Sequence, residues 1–446
     1  MAFFKRIERL RGVLANNANL LKGSGIIFSV KMLLAGVGFI STMLITRYSS
    51  SQADVGSYFF ILSLLALLST VARGGFDNVT TRFVAMANKD KSTDKLLLVT
   101  RFIFKRVLLY TLIGCGVAFL IFTIVKNEQE QSFYVGLTLF FTVLFLNINT
   151  FFVQCFQGVK KITSYAIFNG LSRGVFFILL LCSIPFLNKF SLFQLVIFNC
   201  ISYVISASAG AFFWKKIWAS KKQLTVDDAN RVTLANEERH QIVQSAYTLW
   251  GTSILAILMA NSAPLILGLY ANSEQVALMG TALRIGLLLS FILTAINGVL
   301  SPQFAELSST LDHQSTKNLQ ALYRTSTGLM LAITLPLLVM ILIFSEWLMG
   351  LFGEDYLVGA NVLRIIVCGY FIKVLVGSVG QLLVMTGHEK LQRRSLALSV
   401  SLLLVLLILL SPLGALGGAM AIFLAVALNN LLGLFYVRKY LNISLF

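Results

Sequence analysis

Five basic residues lie inside long apolar segments of the chain, away from its polar loops. They are Lys31, Arg173, Arg284, Arg364 and Lys373. Of the 18 acidic residues, none falls within the apolar part of such a segment, although some, such as Asp77, lie just past the end of one. An unpaired Lys or Arg at the centre of a membrane helix costs about 2.5–3.5 kcal/mol. The pattern therefore favours a wet cavity in which these cations bind an anion such as a phosphate.

The depth of each cation within its segment leaves alternatives for two of them. Lys31 lies about two turns from the start of its segment. Arg364 also lies about two turns from the start of its segment, which is predicted to be at the opposite surface of the membrane. Each therefore either reaches the membrane surface along its aliphatic stem or lines the cavity. Arg284 is flanked by Leu283 and Ile285 and reaches the surface less easily. We expect Arg284 to line the cavity.

The remaining two cations differ in their surroundings. Arg173 is nearest to the middle of its segment, where Asn169 and Ser172 provide a polar neighbourhood, and we expect it to line the cavity. Lys373 follows Arg364 by nine residues, which places the two about 180° apart on an ideal helix. Both can face one cavity only if that segment bends, so at least one of them is expected to be structural.

A proline in the seventh apolar segment indicates a further polar position or hinge. In ILMANSAPLILGLY, Pro264 removes a backbone donor close to Asn261. A proline inside a helix frees a carbonyl and favours a kink, and freed backbone at membrane depth is tolerated where it lines a cavity. Asn261 and Pro264 are therefore predicted to form a polar cavity site or a hinge.

The elements that carry these residues must be membrane helices. The mean hydropathy is +0.84, and only 12% of the residues are charged, against about 25% in soluble proteins. Apolar runs of about 20 residues are long enough to cross a bilayer as helices. We predict an all-α polytopic membrane protein with about twelve transmembrane helices. The predicted spans lie near residues 24–46, 57–72, 107–125, 133–153, 165–187, 192–213, 246–270, 276–300, 327–345, 357–385, 395–411 and 413–437.

The orientation follows from the positions of the basic residues in the loops. The two tails and alternate loops hold 28 of the 36 Lys and Arg residues, whereas the loops on the opposite side hold three: Arg47, Lys126 and Lys189. Lys and Arg are enriched in cytoplasmic loops. We therefore expect both termini to be cytoplasmic and the chain to cross the bacterial plasma (inner) membrane many times.

The chain divides into two similar halves around its longest polar stretch. The predicted parts are a cytoplasmic amphipathic N-terminus (1–23), an N-lobe of six spans (24–213), a cytoplasmic linker (214–245), a C-lobe of six spans (246–437) and a cytoplasmic C-terminus (438–446). Residues 50–69 and 272–291 share a polar turn that leads into an apolar helix. Six spans per half give parallel repeats, and we expect two six-helix lobes around a central cavity.

Several classes of function are excluded or disfavoured by composition and motifs. The basic residues behind the net charge of +18 are spread over separate loops, which favours anionic lipid headgroups over nucleic acid as a partner. The chain has no GxxxxGK[ST] phosphate-binding loop and no metal-like spacing of Cys and His. We expect no metal, no cofactor and no enzymatic activity. Transport would be driven by an H⁺ or Na⁺ gradient or by the membrane potential.

A family resemblance is carried by short motifs along most of the chain. They include DVGSYF (54–59), SPQFAEL (301–307), LFGEDYLVGANVLRI (351–365), TGHEK (386–390) and SPLGALGGAMA (411–421). In this order the chain resembles the Wzx-like lipid-linked oligosaccharide flippases of the multidrug/oligosaccharidyl-lipid/polysaccharide exporter (MOP) superfamily. The resemblance implies that the first two spans of each lobe line the cavity, which favours Lys31 and Arg284. Relatives often carry an acidic residue where this chain has Asn261, so proton or sodium coupling at that position is in doubt.

These observations support one principal hypothesis and leave alternatives open. The principal hypothesis is a flippase that moves an isoprenoid (undecaprenyl) pyrophosphate-linked oligosaccharide from the inner to the outer leaflet, for O-antigen, capsule or exopolysaccharide synthesis. Its expected partners are this lipid-linked substrate, membrane lipids and a polysaccharide polymerase or export machinery. The alternatives are a peptidoglycan lipid II flippase and a MATE-type multidrug or cation antiporter, which would need intramembrane carboxylates. A scaffold or polymerase subunit would explain the spans but not the buried cations.

Overall fold

A computed structural model describes residues 18–89, 93–125, 130–219, 234–309 and 313–443. Within these residues the chain forms fifteen α-helices and two short 3₁₀ helices, Glu354–Gly359 and Ser411–Leu413. The α-helices, numbered α1 to α15 in chain order, are Ala18–Tyr48, Gln52–Ala72, Phe76–Lys89, Thr93–Val125, Glu130–Gly158, Ile162–Ser183, Leu192–Ala219, Asn236–Tyr270, Ser273–Ser309, His313–Ile343, Ser345–Gly350, Ala360–Val376, Val379–Met385, Glu389–Leu409 and Gly414–Leu441.

Eleven of the twelve predicted spans coincide with one helix each, the tenth covers more than one, and the all-α membrane class is confirmed. Nine helices among the described residues are long and apolar enough to cross a membrane. The other three predicted spans lie on α1, α4 and α9, each of which contains side chains outside the described part. The number twelve therefore stays a prediction.

The predicted polar segments differ from the observed helices at their edges. Most of the N-terminal segment 1–23 and residues 220–233 of the linker lie outside the described residues. α7 continues to Ala219 and α8 begins at Asn236, so helices extend into both ends of the predicted linker. The predicted loop 73–106 contains α3 and the start of α4. α3 is a short amphipathic helix whose Phe76, Val79 and Val84 are buried.

Helix α2 packs against helices of both lobes, and its start is well defined. The side chain of Ser51 accepts a hydrogen bond from the backbone N–H of Asp54 at 3.1 Å, and Asp54 lies in the first turn. An N-cap serine satisfies an otherwise unpaired donor, and a carboxylate near the N-terminus interacts favourably with the helix dipole. This start fixes the positions of Tyr58 and Phe59, one to two turns later, in the interior of the protein.

The tenth predicted span is not one continuous helix. α12 ends at Val376 and α13 begins at Val379, because Gly377 adopts a left-handed backbone conformation with φ of +77°. This break lies beyond both Arg364 and Lys373. The two cations therefore stay on one continuous helix, on opposite sides of it.

The helices form an N-lobe (α1–α7) and a C-lobe (α8–α15) that meet along a few central helices. α2 packs against α8 and α9, and α9 packs in turn against α1. These contacts are symmetric between the lobes. α2 follows α1, the first helix of the N-lobe, and contacts α8, the first helix of the C-lobe. α9 follows α8 and contacts α1. This is the arrangement expected of parallel repeats.

The two ends of the bundle are packed differently. We call the end with most Lys and Arg residues the basic-loop end and the opposite end the short-loop end. At the short-loop end one apolar core runs through both lobes and includes Ile45, Val55, Ala277 and Phe352. At the basic-loop end each lobe has a separate core, and that of the N-lobe also takes in the first turns of α8. Apart from α8, the described helices of the two lobes share an apolar core only at the short-loop end.

Candidate anion-binding cavity

A cavity of about 450 Å³ lies between the two lobes. Its wall is built by α1, α2 and α6 of the N-lobe and by α8 and α9 of the C-lobe. Its lining is largely apolar, with Arg173 and Arg284 as the charged residues on it. The lining residues are Leu34, Ala35, Gly38, Phe39, Phe59, Leu62, Ser63, Arg173, Ala260, Asn261, Pro264, Gly280, Leu283, Arg284, Leu287 and Leu288. We call this space the interlobe cavity.

Arg284 is held in the interlobe cavity by its own helix and by one aromatic ring. Its Nη1 donates a hydrogen bond to the carbonyl oxygen of Gly280 at 3.0 Å. Its guanidinium carbon lies 3.7 Å from the centre of the Phe59 ring on α2, within the range of a cation–π interaction. These contacts use one donor and one face of the guanidinium. The remaining N–H donors are available to a ligand, since a guanidinium carries five.

A second, more polar space adjoins Arg284 and Arg173 within the N-lobe. It has a volume of about 200 Å³, and we call it the N-lobe chamber. It lies between α1, α2, α6 and α7. Its lining residues are Gly38, Ser41, Thr42, Ile45, Tyr58, Leu62, Ser172, Arg173, Phe176, Asn199, Ser202, Tyr203 and Arg284. Both arginines line both spaces, so they mark the junction between the interlobe cavity and the chamber.

Arg173 and Arg284 come from different lobes and are brought together only by the fold. Neither forms an ion pair with a carboxylate among the residues that the structure describes. By contrast, Arg73 at the end of α2 is paired with Asp77 at 2.6 Å and donates to the hydroxyl of Ser69 at 2.7 Å. Arg73, whose role is structural, therefore has a carboxylate partner, unlike Arg173 and Arg284.

Arg364 requires a correction to the sequence prediction, which treated it as an unpaired intramembrane cation. Its Nη2 lies 3.2 Å from the Oε1 atom of Glu346, and its Nη1 donates to Asn361 at 2.8 Å. Arg364 lines neither space, because its position on α12 faces the short helix α11. Glu346 lies outside the apolar segments, so the sequence pattern alone did not reveal this pair.

Of the other two predicted cations, the structure describes the side chain of Lys373 alone. Lys373 is half-buried on α12 and is not among the lining residues of either space. The side chain of Lys31 on α1 lies outside the described residues. Its predicted role in the cavity therefore stays a prediction.

The predicted polar or hinge position lies on the wall of the interlobe cavity. Asn261 and Pro264 both line it, and the side chain of Asn261 donates to the carbonyl of Ile257 at 3.3 Å. α8 remains helical through Pro264. Pro264 cannot donate to Ala260 four residues earlier, and Ala260 also lines the cavity. This part of α8 exposes polar backbone to the space between the lobes.

Several lining residues were missed by the sequence analysis. Tyr58, Asn199, Ser202 and Tyr203 have ordinary types for a membrane interior, where polar side chains often link helices. The spacing of Asn199, Ser202 and Ser206 on one face of α7 was the available signal. It indicates a polar stripe, but it does not reveal which neighbouring helix that stripe faces.

Within the described part of the chain, no group of three or more His, Cys, Asp or Glu residues is arranged to hold a metal ion. Three ion pairs there join Asp77 to Arg73, Glu238 to Lys95 and Glu346 to Arg364. Among the described residues that line the two spaces there is no Asp or Glu. The site is therefore cationic and can bind an anion through guanidinium hydrogen bonds.

Comparison with solved structures identifies the fold. A structure described as the inward-facing conformation of a multidrug resistance MATE family transporter of the MOP superfamily matches with a TM-score of 0.69 and 14% identity, over 94% of this chain and 98% of that one. The lipid II flippase MurJ in an inward closed conformation matches with a TM-score of 0.65 and 13% identity, over 93% of this chain and 88% of that one. The chain therefore shares the fold of these two solved structures.

Sequence comparison identifies the family within that fold. The chain belongs to the family described as polysaccharide biosynthesis protein, which matches residues 20–308. This match confirms the resemblance to polysaccharide exporters. A relative in Haloferax volcanii, described as the probable low-salt glycan biosynthesis flippase Agl15, is 25% identical over 181 residues. These residues are 40% of this chain and 38% of that relative.

Proposed function

We propose that this protein is a flippase for an isoprenoid pyrophosphate-linked oligosaccharide. The lipid would be undecaprenol in a bacterial plasma membrane, and the oligosaccharide would serve O-antigen, capsule or exopolysaccharide synthesis. The observation that carries the proposal is the pair Arg173 and Arg284. They line a cavity between two lobes and have no carboxylate partner among the described residues. The pyrophosphate of such a substrate would neutralise the two guanidinium groups.

The energetics of such a pair favour a bound diphosphate over an empty cavity. Hydrogen bonds between a guanidinium and a phosphate are about twice as strong as neutral ones and are often bidentate. In the empty state Arg284 is stabilised by one carbonyl and by the face of Phe59. Neither neutralises its charge. The anion therefore gains more from this site than a neutral glycolipid would.

The direction of transport follows from the proposed orientation, with the basic-loop end in the cytoplasm. The lobes are joined by one core at the short-loop end and have separate cores at the basic-loop end. Cargo would enter from the cytoplasmic leaflet, with its lipid tail in the bilayer. An inside-negative potential favours outward movement of an anion by about 2.3 kcal/mol per charge per 100 mV, so two charges gain about 5 kcal/mol.

The first prediction tests the two arginines directly. Arg173→Ala and Arg284→Ala should each lower surface-polysaccharide export at matched expression, and the double variant should lower it furthest. Loss of one charge-assisted hydrogen bond costs about 1.5–3 kcal/mol, which weakens binding about 10- to 150-fold. Lysine at either position should restore part of the export, because it keeps the charge but loses the bidentate geometry.

Arg364→Ala is the matched control for this experiment. It removes an arginine whose partner, Glu346, is largely exposed, and exposed ion pairs contribute about 0–1 kcal/mol. Its export should stay close to that of the unmodified protein. Normal export by the Arg173→Ala/Arg284→Ala double variant would contradict the proposal.

The lipid II and multidrug alternatives predict different readouts for the same variants. A lipid II flippase should support growth when the host's own lipid II flippase is depleted. A cation antiporter should confer resistance to organic cations and should need a carboxylate in its cavity, whereas neither described space is lined by one. Growth rescue or cation resistance that is independent of both arginines would favour those functions.

A further inference from the structure

A groove separates α4 of the N-lobe from α8, the first helix of the C-lobe, at the basic-loop end. Both helices pack against α2 and α3, and they are bridged to each other by side chains. The hydroxyls of Tyr110 on α4 and Tyr247 on α8 lie 3.3 Å apart, and the Nζ atom of Lys95 lies 3.1 Å from the Oε1 atom of Glu238. Tyr247 is 54% exposed, so this space opens to the surface of the protein. We call it the α4–α8 groove.

The last turn of α2 forms the floor of the α4–α8 groove. A methyl group at Gly114 on α4 would lie 2.9 Å from the Cβ atom of Ala72, and the carbonyl of Val71 accepts a hydrogen bond from Nε1 of Trp250 on α8 at 3.2 Å. Val71 is nevertheless 39% exposed. Gly251, one turn beyond the hydroxyl pair on α8, faces open space, because a methyl group there would meet no atom within 4 Å. The groove therefore has room for a hydrocarbon chain against an apolar floor.

The hydroxyl pair lies at the expected depth of the lipid headgroups. Tyr110 and Tyr247 fall just inside the starts of the predicted spans 107–125 and 246–270, and Arg106 falls just outside. Tyrosine is enriched at the membrane–water interface, and basic residues are enriched in the adjoining loops on one side of the membrane. The groove is therefore accessible to the headgroups and upper acyl chains of one leaflet.

Arg106 faces the groove without a carboxylate partner among the described residues. Phe102, Arg106 and Tyr110 follow one another at intervals of four and share one face of α4, which Tyr110 directs at α8. The guanidinium carbon of Arg106 lies 5.5 Å from the centre of the Phe102 ring. Arg106 is also close enough for its charge to act on the hydroxyl of Tyr247. Its N–H donors are therefore available to an anion in the groove.

The two tyrosines supply a further donor beside this guanidinium. Each phenol hydroxyl carries one proton, and the single hydrogen bond between them uses only one of the two. The ring of Tyr110 is held by that of Phe76, with ring centres 5.9 Å apart. Lys105, next to Arg106, is exposed and adds positive charge. Phosphate oxygens accept strong hydrogen bonds from such donors, so the site suits a phosphate of net negative charge.

We propose that the α4–α8 groove binds an anionic phospholipid of the surrounding leaflet. Its phosphate accepts hydrogen bonds from Arg106 and from one tyrosine hydroxyl, and one acyl chain lies over Val71 beside Gly251. A zwitterionic phospholipid fits less well, because its own cationic group would lie near Lys105 and Arg106 and like charges repel. This inference concerns a resident lipid and does not depend on the proposed flippase function.

A lipid at this position would contact both lobes where the start of α8 joins the N-lobe. Ile242 and Ala246 on α8 belong to the same apolar core as Val79 on α3 and Val107 on α4. A phosphate that bridges Arg106 and the hydroxyl of Tyr247 adds a polar contact to this junction. The lipid should therefore help to hold the first turns of α8 against the N-lobe.

The experiment uses Trp250, on the floor of the groove, as a fluorescent reporter of the lipid beside it. In the full-length protein the other three of the four tryptophans are replaced by phenylalanine. The protein is placed in vesicles with equal amounts of phosphatidylcholine and phosphatidylglycerol, and either lipid is brominated near its headgroup. Bromine quenches tryptophan at contact distance. Brominated phosphatidylglycerol should quench Trp250 more than brominated phosphatidylcholine does.

Substitutions in the groove should remove this preference. Arg106→Gln should lower the relative affinity for phosphatidylglycerol about fivefold, the effect of one basic residue near the membrane surface. The double variant Tyr110→Phe/Tyr247→Phe should also lower it, because both hydroxyl donors are lost. Native mass spectrometry of the retained phosphatidylglycerol gives the same comparison with all tryptophans present, so the test does not depend on the folding of the tryptophan variant.

Matched controls lie at the same end of the molecule but outside the groove. Arg438 and Tyr440 are exposed in the last turn of α15. Arg438→Gln removes the same charge as Arg106→Gln, and Tyr440→Phe removes one hydroxyl. Neither should change the quenching of Trp250 by either lipid.

Three results would overturn the inference. The first is equal quenching by the two lipids in the protein with its groove intact. The second is an equal loss of preference in Arg438→Gln and Arg106→Gln, which would assign the preference to the overall charge of this end. The third is relief of quenching by farnesyl pyrophosphate, which would make the groove a cargo site. None of these measurements involves transport, so a failure of the flippase proposal leaves them unaffected.

Discussion

At the scale of single residues, the protein treats its arginines in two different ways. Arg73 has a carboxylate at 2.6 Å and three further side-chain acceptors, Ser69, Thr70 and Asn147. Arg284 has one backbone carbonyl and an aromatic ring. Leaving a partly buried charge unpaired costs stability. The charge of Arg73, which joins α2 to its neighbours, is therefore neutralised by a carboxylate. The charge of Arg284, which faces the cavity, is not neutralised by its carbonyl and aromatic contacts.

This contrast predicts opposite effects of substitution on stability. Asp77→Asn should lower the thermal stability of the protein in detergent, because Arg73 then lacks its counter-ion at a largely buried position; the expected loss is about 1–3 kcal/mol. Arg284→Leu should leave the melting temperature unchanged or raise it, since it removes an unneutralised charge. Nanoscale differential scanning fluorimetry measures both. Equal destabilisation by the two substitutions would show that Arg284 has a structural role.

At the scale of elements, α2 and α9 approach each other closely at the short-loop end. Gly56 on α2 lies against the backbone of α9, so that a methyl group at Gly56 would lie 1.7 Å from the carbonyl oxygen of Ser273. Phe39 and Phe352 form an edge-to-face pair nearby, with ring centres 5.2 Å apart. The close approach requires glycine because any side chain would separate the two helices.

Gly56→Ala should therefore favour a conformation open at the short-loop end. In a variant whose five cysteines are replaced, Ser57→Cys should react faster with a membrane-impermeant maleimide added from the short-loop side when Gly56→Ala is present. Gly116→Ala is the control, since a methyl group there meets no atom within 4 Å. An unchanged labelling rate in Gly56→Ala would mean that this contact does not control opening.

At the scale of the whole molecule, the short-loop end is closed by contacts between the lobes. Arg47 donates to the carbonyl of Leu351 at 2.9 Å, and the hydroxyls of Ser57 and Ser273 lie 3.3 Å apart. If transport proceeds by alternating access, these contacts must break in every cycle. A covalent bond between the lobes here should stop transport without removing the binding site.

A disulfide between Ser57→Cys and Ser273→Cys tests this, because the two hydroxyls lie 3.3 Å apart across the contact between the lobes. In the same cysteine-replaced background, oxidation should abolish transport of a fluorescent lipid-linked sugar in proteoliposomes, and reduction should restore it. Binding of farnesyl pyrophosphate should persist in the oxidised protein. Full transport with complete cross-linking would exclude alternating access at this end.

The sequence by itself determined the class of the protein, the positions of its helices and the presence of cations without nearby acidic residues, because hydropathy and charge are read along the chain. It also determined that Arg364 and Lys373 face apart, since their spacing on one helix fixes the angle between them. Only the tertiary structure decided which cations meet. The rotation of each helix is set by packing against its neighbours. This packing brings Arg173 and Arg284 to one junction, places Glu346 beside Arg364, and assembles the N-lobe chamber from two pairs of consecutive helices, α1 with α2 and α6 with α7, together with Arg284 of α9.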